Sequence, residues 1–391
     1  MEKDHETFED PLFPKSLSSI GQTYESPELK NVKWIRAKDI AQKLDKKPLL
    51  FKNGPKRCDI NQGSLGDCWF LATLANLPAQ VRLFEKVVPT DQPLDMDKNP
   101  GIFHFKFWQY GEWVDVVVDD YLPTLKDQPC FLKSDTPNEF WPAMIEKAYA
   151  KLYGNYTFAL DGGLIGSSME DLTGGLAESY MNQKSPAPFN ILLRAYQTGS
   201  MMGASIWGRA GETREEILET GLASGHAYSI TKVVEFEAGG KTIQLVRVRN
   251  PWGNHVEWKG AWSDQSAEWG SMSEAEKFKI GLRQEEDGEF FMTYEDFKKN
   301  FDAIDICHVA RSSFDQDSIG WHKEEVHGSW KKGTEILSEN PQYLVDLKDS
   351  KVDSDNLCTF MISLIQKGGR RKRADGHGFE TAFDPIGKNH W

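Results

Sequence analysis

Residues 60–74 read INQGSLGDCWFLATL. Gly63 and Gly66 break the chain into a turn, and Asp67 is a residue type that favours helix N-caps. Cys68 then opens a run in which Phe70, Leu71, Leu74 and Leu77 recur at helical spacing, until Pro78 limits it. A cysteine in the first turn of a buried helix lies where the helix dipole favours an anion, the form of a thiol that attacks a carbonyl. The Asp67 carboxylate beside it opposes a second negative charge. The helix alone is therefore insufficient, and an imidazolium from elsewhere in the fold is expected.

The stretch GHAYSITKVVEFEAGGKTIQLVRVRNPWGN, residues 225–254, supplies one. Its two β-rich runs flank Ala238, Gly239 and Gly240, which predicts an antiparallel hairpin. With the turn there, His226 falls nearly opposite Asn250, within a few residues of register. Asn250 is placed to hold the imidazole in one tautomer without adding charge. Gln62, on the turn before Cys68, is placed to aim its amide at an oxyanion beside the Cys68 N–H. Taken singly, each has an ordinary explanation: a buried thiol, a packed core histidine, a turn-forming asparagine before Pro251. Their conjunction points to nucleophilic catalysis.

The rest of the chain limits the setting. A chain of 391 residues is long for one core, and a 39% hydrophobic fraction with 13 tryptophans and 22 phenylalanines predicts well-packed globular structure in several domains. A formal charge of -13 disfavours nucleic acid as a partner and makes cations better candidates. The five cysteines, at 58, 68, 130, 307 and 358, form no disulfide framework. The opening MEKDHETFEDPLF lacks the apolar stretch of a signal peptide, so a reducing, cytoplasmic setting is expected. No run reaches the roughly 18 apolar residues of a membrane span, which leaves only peripheral membrane contact open.

Residues 1–26, polar and carrying Pro11 and Pro14, read as a loosely attached, anchor-like arm. GIFHFKFWQYGEWVDVVVDDYLP alternates through Phe103, Phe105 and Phe107, turns near Gly111 and returns through Val114, Val116 and Val118 as a hairpin. NEFWPAMIEKAYAKLYG reads as a helix, Gly174 and Gly175 as a hinge, and 189–198 as a further helix. Beyond Ser312, short runs such as QYLVDL and CTFMISLIQK predict strands, and the basic run KGGRRKR at 367–373 reads as a solvated loop.

The segments QGSLGDCWFLA, GEWVDVVVDD, NEFW, EKAYAKLYG, GHAYSI, VRNPWG, EWKGAWSD and EDGEFFM, in this order, resemble the calpains, calcium-dependent papain-like cysteine proteases. The resemblance implies an α+β fold. A papain-like core would have one subdomain at 27–174 carrying Cys68 and a second at 175–312 carrying His226 and Asn250. A partial antiparallel β-sandwich would follow at 313–391. It implies a calcium-activated intracellular endopeptidase acting on protein substrates through an acyl-enzyme, with Cys68 as nucleophile, His226 as base and acid, Asn250 as orienter and Gln62 as oxyanion donor. Trp252 matches the aromatic that wedges between the subdomains when calcium is absent.

The same likeness implies two calcium sites in the core. One matches Asp59 and Glu139 with main-chain oxygens near Lys52 and Gly54. The other matches Glu257, Asp264, Asp287 and Glu289 with the Glu285 carbonyl. It also brings a calpastatin-like inhibitor as a partner and membrane association on a calcium rise. No twelve-residue EF-hand loop is present: the best attempt, from Asp95, puts Pro100 where glycine is needed and Lys106 where a glutamate belongs. Calcium sensing is thus expected inside the core, with no EF-hand small-subunit interface in this chain. Two other readings compete. Transglutaminase-like acyl transfer normally has aspartate as the third member, and a non-catalytic scaffold would have little use for all four residues.

Overall fold

The computed structural model describes residues 7–21, 29–52, 60–182, 184–208, 215–238, 240–285, 287–309, 324–331, 336–345 and 360–365. The helix expected from the opening motif runs Cys68–Asn76, with all nine residues buried, and tightens into a 3-10 turn at Leu77–Ala79, where Pro78 cannot donate to the helical ladder. Around it lie the helices Trp141–Tyr153 and Ile165–Thr173 and the hairpin Ile102–Gln109/Glu112–Asp119. Phe103, Phe105 and Phe107 all point inward, as strand alternation requires, and pack with Phe70 and Tyr149 in one core. The ring centroids of Phe70 and Tyr149 are 4.4 Å apart.

The two aspartates that close this hairpin are buried and paired. Asp119 takes the ammonium of Lys147, a lysine with no exposed surface in the middle of the Trp141–Tyr153 helix, and Asp120 takes the Arg36 guanidinium. Lys147 also donates to the Asp119 and Tyr121 carbonyls at 3.0 and 2.6 Å. Removing either partner would strand the other charge in the interior, which is costlier than never having buried the pair.

The described part of the amino-terminal arm is docked, contrary to expectation. Phe13 and Ile20 are both 2% exposed within the first core, Asp10 accepts from Lys151 Nζ at 2.6 Å, and the Asp10 N–H donates to Asp119 Oδ2 at 2.7 Å. The prolines and polar residues that suggested a loose segment surround two apolar anchors and one buried ion pair.

The second half is a six-stranded antiparallel sheet, in the order Glu289–Thr293, Lys241–Arg249, His226–Ala238, Met201–Ile206, Ala303–His308 and Leu176–Met181. The expected hairpin is its centre: Ala238 pairs with Lys241, and a bulge between Ile230 and Lys232 sets Ser229 opposite Arg249. The helix Phe189–Gln197 covers one face through Phe189 and Leu192. The halves meet where the Cys68–Asn76 helix lies against this sheet: Ser229 Oγ donates to the Ala72 carbonyl at 2.8 Å, and Asn76 Nδ2 to the Met202 carbonyl at 3.1 Å. The first core crosses Gly174 and Gly175 and takes in Met201, Ala227 and Cys307.

Past Val309, the described residues contain a 3-10 turn at Leu337–Glu339 and no strand. The described parts of the two segments expected to be strands find no pairing partner there, and Leu344, Ile362 and Leu364 are exposed. The basic run at 367–373 lies outside the described residues.

The turn before Cys68 needs glycine at 63 for space. A Cβ at Gly63 would lie 2.2 Å from the Phe131 carbonyl oxygen and 2.5 Å from that of Cys130, while the space around Gly270 is open. Gly63→Ala is therefore expected to cost about 1–3 kcal/mol, and Gly270→Ala to stay within about 0.5 kcal/mol. Urea unfolding of the two variants checks this; equal midpoints would remove the steric explanation.

Candidate active site

Cys68 is the first residue of its helix and is 9% exposed. Asp67 stands in the N-cap position, but its side chain caps nothing: it turns inward, fully buried, to the equally buried Glu146 carboxyl. Apart from a weak contact with its own main-chain amide, Asp67 has, among the described residues, only the Glu146 carboxyl beside it, and two acids in contact in the interior are accommodated by holding a proton between them. Burial pushes Asp67 up to about 7, and the negative charges of Glu215 and Asp161 act in the same direction, while the hydrogen bond from Glu146 works against them. Glu146 is raised well above the ordinary range by burial and then by Asp67. Glu146 also accepts the Leu132 N–H at 3.1 Å. The residue at the N-cap position is thus half of an acid pair under the cysteine turn rather than a side-chain cap.

His226 opens the sheet strand His226–Ala238 and is 1% exposed. Its Nε2 is 2.8 Å from Asn250 Oδ1. The orientation of that amide is fixed on its other side, because Asn250 Nδ2 donates to the Val256 carbonyl at 3.1 Å. Asn250 itself is fully buried just past the end of the Lys241–Arg249 strand, and its N–H donates to the Gly288 carbonyl at 2.8 Å. Burial alone would lower the His226 pKa, but hydrogen bonds to Cys68 and Glu215, with their negative charge, outweigh it and push it up to about 9. The imidazolium then has a donor for each neighbour: Nε2–H for Asn250 and Nδ1–H for the Cys68 and Glu215 side. Trp252 lies against the imidazole, ring centroids 4.5 Å apart.

The four residues singled out from the sequence are thus brought together, and a fifth that the sequence did not signal stands among them. Glu215 Oε1 is 3.3 Å from His226 Nδ1 and accepts from Gln62 Nε2 at 3.2 Å. Donor atoms of Cys68, Glu215 and His226 all lie within 4.8 Å of one another. Gln62 was expected to face an oxyanion; its amide faces this carboxylate, which stands in for that negative oxygen. Glu215 holds a left-handed backbone, φ 60°, which carries no recognisable sequence pattern at a glutamate.

A family model described as calpain family cysteine protease matches residues 8–308. The chain belongs to the calpain family. A second model, calpain large subunit domain III, matches residues 318–387. The chain is 43% identical over 390 residues to Calpain-A of Drosophila melanogaster, covering 94% of this chain and 46% of that protein. Against human Calpain-9 it is 41% identical over 382 residues, covering 94% and 54%. Against the bovine Calpain-2 catalytic subunit it is 40% identical over 391 residues, covering 96% and 55%. The chain therefore spans about half the length of these relatives.

Calpains are calcium-regulated, and the acidic positions matched to calcium fit a hard cation in part. Asp264 is 7% exposed, and both its carboxylate oxygens are buried without a partner at hydrogen-bond distance, the Glu285 amide giving only a weak contact. Burial, then the charges of Glu257 and Asp287, push it up to about 7. Around it, Gly288 N–H donates to Glu257 at 2.8 Å, Arg247 Nε lies 3.4 Å from Glu289, and Arg249 lies 3.9 Å from Asp287. An orphaned, buried, oxygen-only donor among three further carboxylates is chemistry that suits calcium. At the other position Glu139 is buried and already accepts from the Lys52 N–H at 2.7 Å and from Ser134 Oγ at 2.6 Å. Asp59 and Gly54 lie outside the described residues. Among the described residues no helix is long and apolar enough to cross a membrane.

The Asp67 and Glu146 pair has a consequence for pH. A carboxyl whose folded pKa is raised contributes stability that is fully present below its unfolded value and is lost as pH rises through the folded one. For Asp67 that window runs from 3.8 to about 7. Glu146→Gln supplies Asp67 with a permanent neutral donor, so the fall in melting temperature across that window should be shallower than in the parent chain. An unchanged slope by calorimetry would show that the pair does not share a proton.

Proposed function

We propose that this chain is a calcium-activated cysteine endopeptidase that makes limited cuts in protein substrates. The observation that carries the reading is the convergence of Cys68 from one half, and His226 with Asn250 from the other, on one buried locus. Membership of a cysteine protease family supports the same assignment.

In this mechanism Cys68 Sγ attacks the scissile carbonyl carbon as thiolate. The oxyanion that forms is held by the Cys68 N–H and Gln62 Nε2. His226 gives its Nδ1 proton to the departing amine, leaving an acyl-enzyme thioester. It then takes a proton from water, whose oxygen attacks the thioester and returns Cys68. Asn250 keeps the ring in the plane that both transfers need. Glu215 must leave the Gln62 amide before an oxyanion can use it. Asn250 as third member favours peptide hydrolysis over transglutaminase-like transfer.

Calcium, when bound, supplies the charge that lets Glu257, Asp264, Asp287 and Glu289 gather, and so favours the arrangement in which they do. This cluster is tied to the catalytic residues through the main chain: Gly288 donates to Glu257 and accepts from Asn250. A second ion at Glu139 and Asp59, with Lys52 and Gly54 oxygens, belongs to the same proposal. So do Trp252 as the aromatic that holds the cleft unproductive without calcium, inhibition by a calpastatin-like protein, and a cytoplasmic location with membrane contact on a calcium rise.

Casein hydrolysis with and without calcium tests the reading: cuts support it, while cross-links or no reaction overturn it. Cys68→Ser should fall to background while melting like the parent, and Asn250→Ala should retain more activity than His226→Ala. Asp264→Asn should raise the calcium midpoint about tenfold and reduce the calcium-induced rise in melting temperature. An unaltered midpoint together with an unaltered thermal shift would remove these carboxylates from calcium binding.

A further inference from the structure

We infer that Cys68, Glu215 and His226 form a binding site for a thiophilic divalent cation of the zinc type, which would hold the proposed catalytic residues in an inactive arrangement. The position of the site is taken from the peptidase reading, but the inference concerns metal binding and is tested by it.

The donor set is a thiol sulfur, an imidazole nitrogen and a carboxylate oxygen, with all three atoms within 4.8 Å of one another. Among the described residues this is the only group of three or more such donors so gathered. Sulfur and nitrogen donors select zinc over calcium or magnesium, which take oxygen. The spacing fits as well. Zn–N and Zn–O bonds of about 2.0–2.2 Å in a tetrahedron hold the two ligand atoms about 3.3–3.6 Å apart. His226 Nδ1 and Glu215 Oε1 are 3.3 Å apart.

The surroundings are those of a metal site. A ligating imidazole usually offers its other nitrogen to a fixed acceptor, and His226 Nε2 already faces Asn250 Oδ1 at 2.8 Å. A ligating carboxylate is usually steadied by an outer donor, and Gln62 Nε2 reaches Glu215 Oε1 at 3.2 Å. The Glu215 side chain is 23% exposed, while His226 has no exposed side-chain surface, so the carboxylate forms the solvent side of the locus. The fourth tetrahedral position is left for water. On binding, His226 Nδ1 releases its proton to solvent and Cys68 ligates as thiolate; no bond is otherwise made or broken, and nothing is oxidised.

Glu215 distinguishes this site from a bare cysteine and histidine pair. The same contacts could serve a simple hydrogen-bonded plug. A plug survives the exchange of carboxylate for amide, whereas a zinc ligand does not.

The test uses the full chain in calcium-free buffer, with zinc binding followed by calorimetry and cobalt(II) as a spectroscopic probe. The parent should bind one zinc at this locus, and its cobalt complex should show a sulfur-to-metal charge-transfer band. That band should be absent from Cys68→Ser. Glu215→Gln and Glu215→Ala should each weaken zinc by at least about tenfold. Circular dichroism of all variants establishes that they are folded. Parent-like zinc affinity in both Glu215 variants, or a cobalt spectrum without the thiolate band, overturns the inference. Neither result bears on casein cleavage, so the peptidase proposal stands or falls separately.

Discussion

The structure depends on the seating of one short helix against one strand. The nine residues from Cys68 to Asn76 have no exposed face, so the helix is specified by what surrounds it on every side rather than by amphipathic patterning. On one side its Trp69 and Phe70 pack against Tyr149; on the other lies the strand that begins at His226. Because a thiol and an imidazole start these two elements, their separation is set by packing between the halves and not by any local turn. Close-packed interiors move between discrete arrangements more readily than they deform, which suits a reaction centre divided across such a contact.

Buried charge recurs through the same region and is resolved in two ways. Lys147 and Arg36 meet Asp119 and Asp120 as opposite charges, fastening the long hairpin and, through Asp10 and Lys151, the amino-terminal arm. Asp67 and Glu146 are both acids, and they coexist by holding a proton between them. That proton matters to the residue next in sequence. A proton held by the pair leaves one negative charge there rather than two, which reduces the total opposition to a thiolate at Cys68.

Much of this was legible in the sequence, for local reasons. The alternating phenylalanines and valines gave the 102–119 hairpin, and the diglycine at 239–240 fixed the second hairpin closely enough to bring His226 toward Asn250. The bulge between Ile230 and Lys232 was not visible, since one added residue leaves no mark in composition. Asp67 holds the expected N-cap position, but its side chain turns to a partner on a different helix, and such pairing is a tertiary fact. Glu215 was missed for a similar reason: an acidic residue in a polar segment carries no period, and only the fold turns it inward. The apolar anchors Phe13 and Ile20 were obscured by the prolines and charges between which they lie.

The loop after Asn250 places a severe demand on one codon. Gly288 has φ +82°, and a Cβ there would stand 2.8 Å from the Asn250 carbonyl oxygen and 3.4 Å from Gly253. Its N–H and carbonyl are both committed, one to Glu257 and the other to Asn250. Every missense change from glycine adds a side chain, and none of the alternatives is smaller than a methyl group. Inherited variation at this codon therefore has no mild form: any amino-acid replacement displaces the peptide that joins the acidic cluster to the residue holding the imidazole. In a saturation screen scored by casein cleavage, position 288 should stand out as a column of uniform loss beside Gly270, where the surrounding space is open.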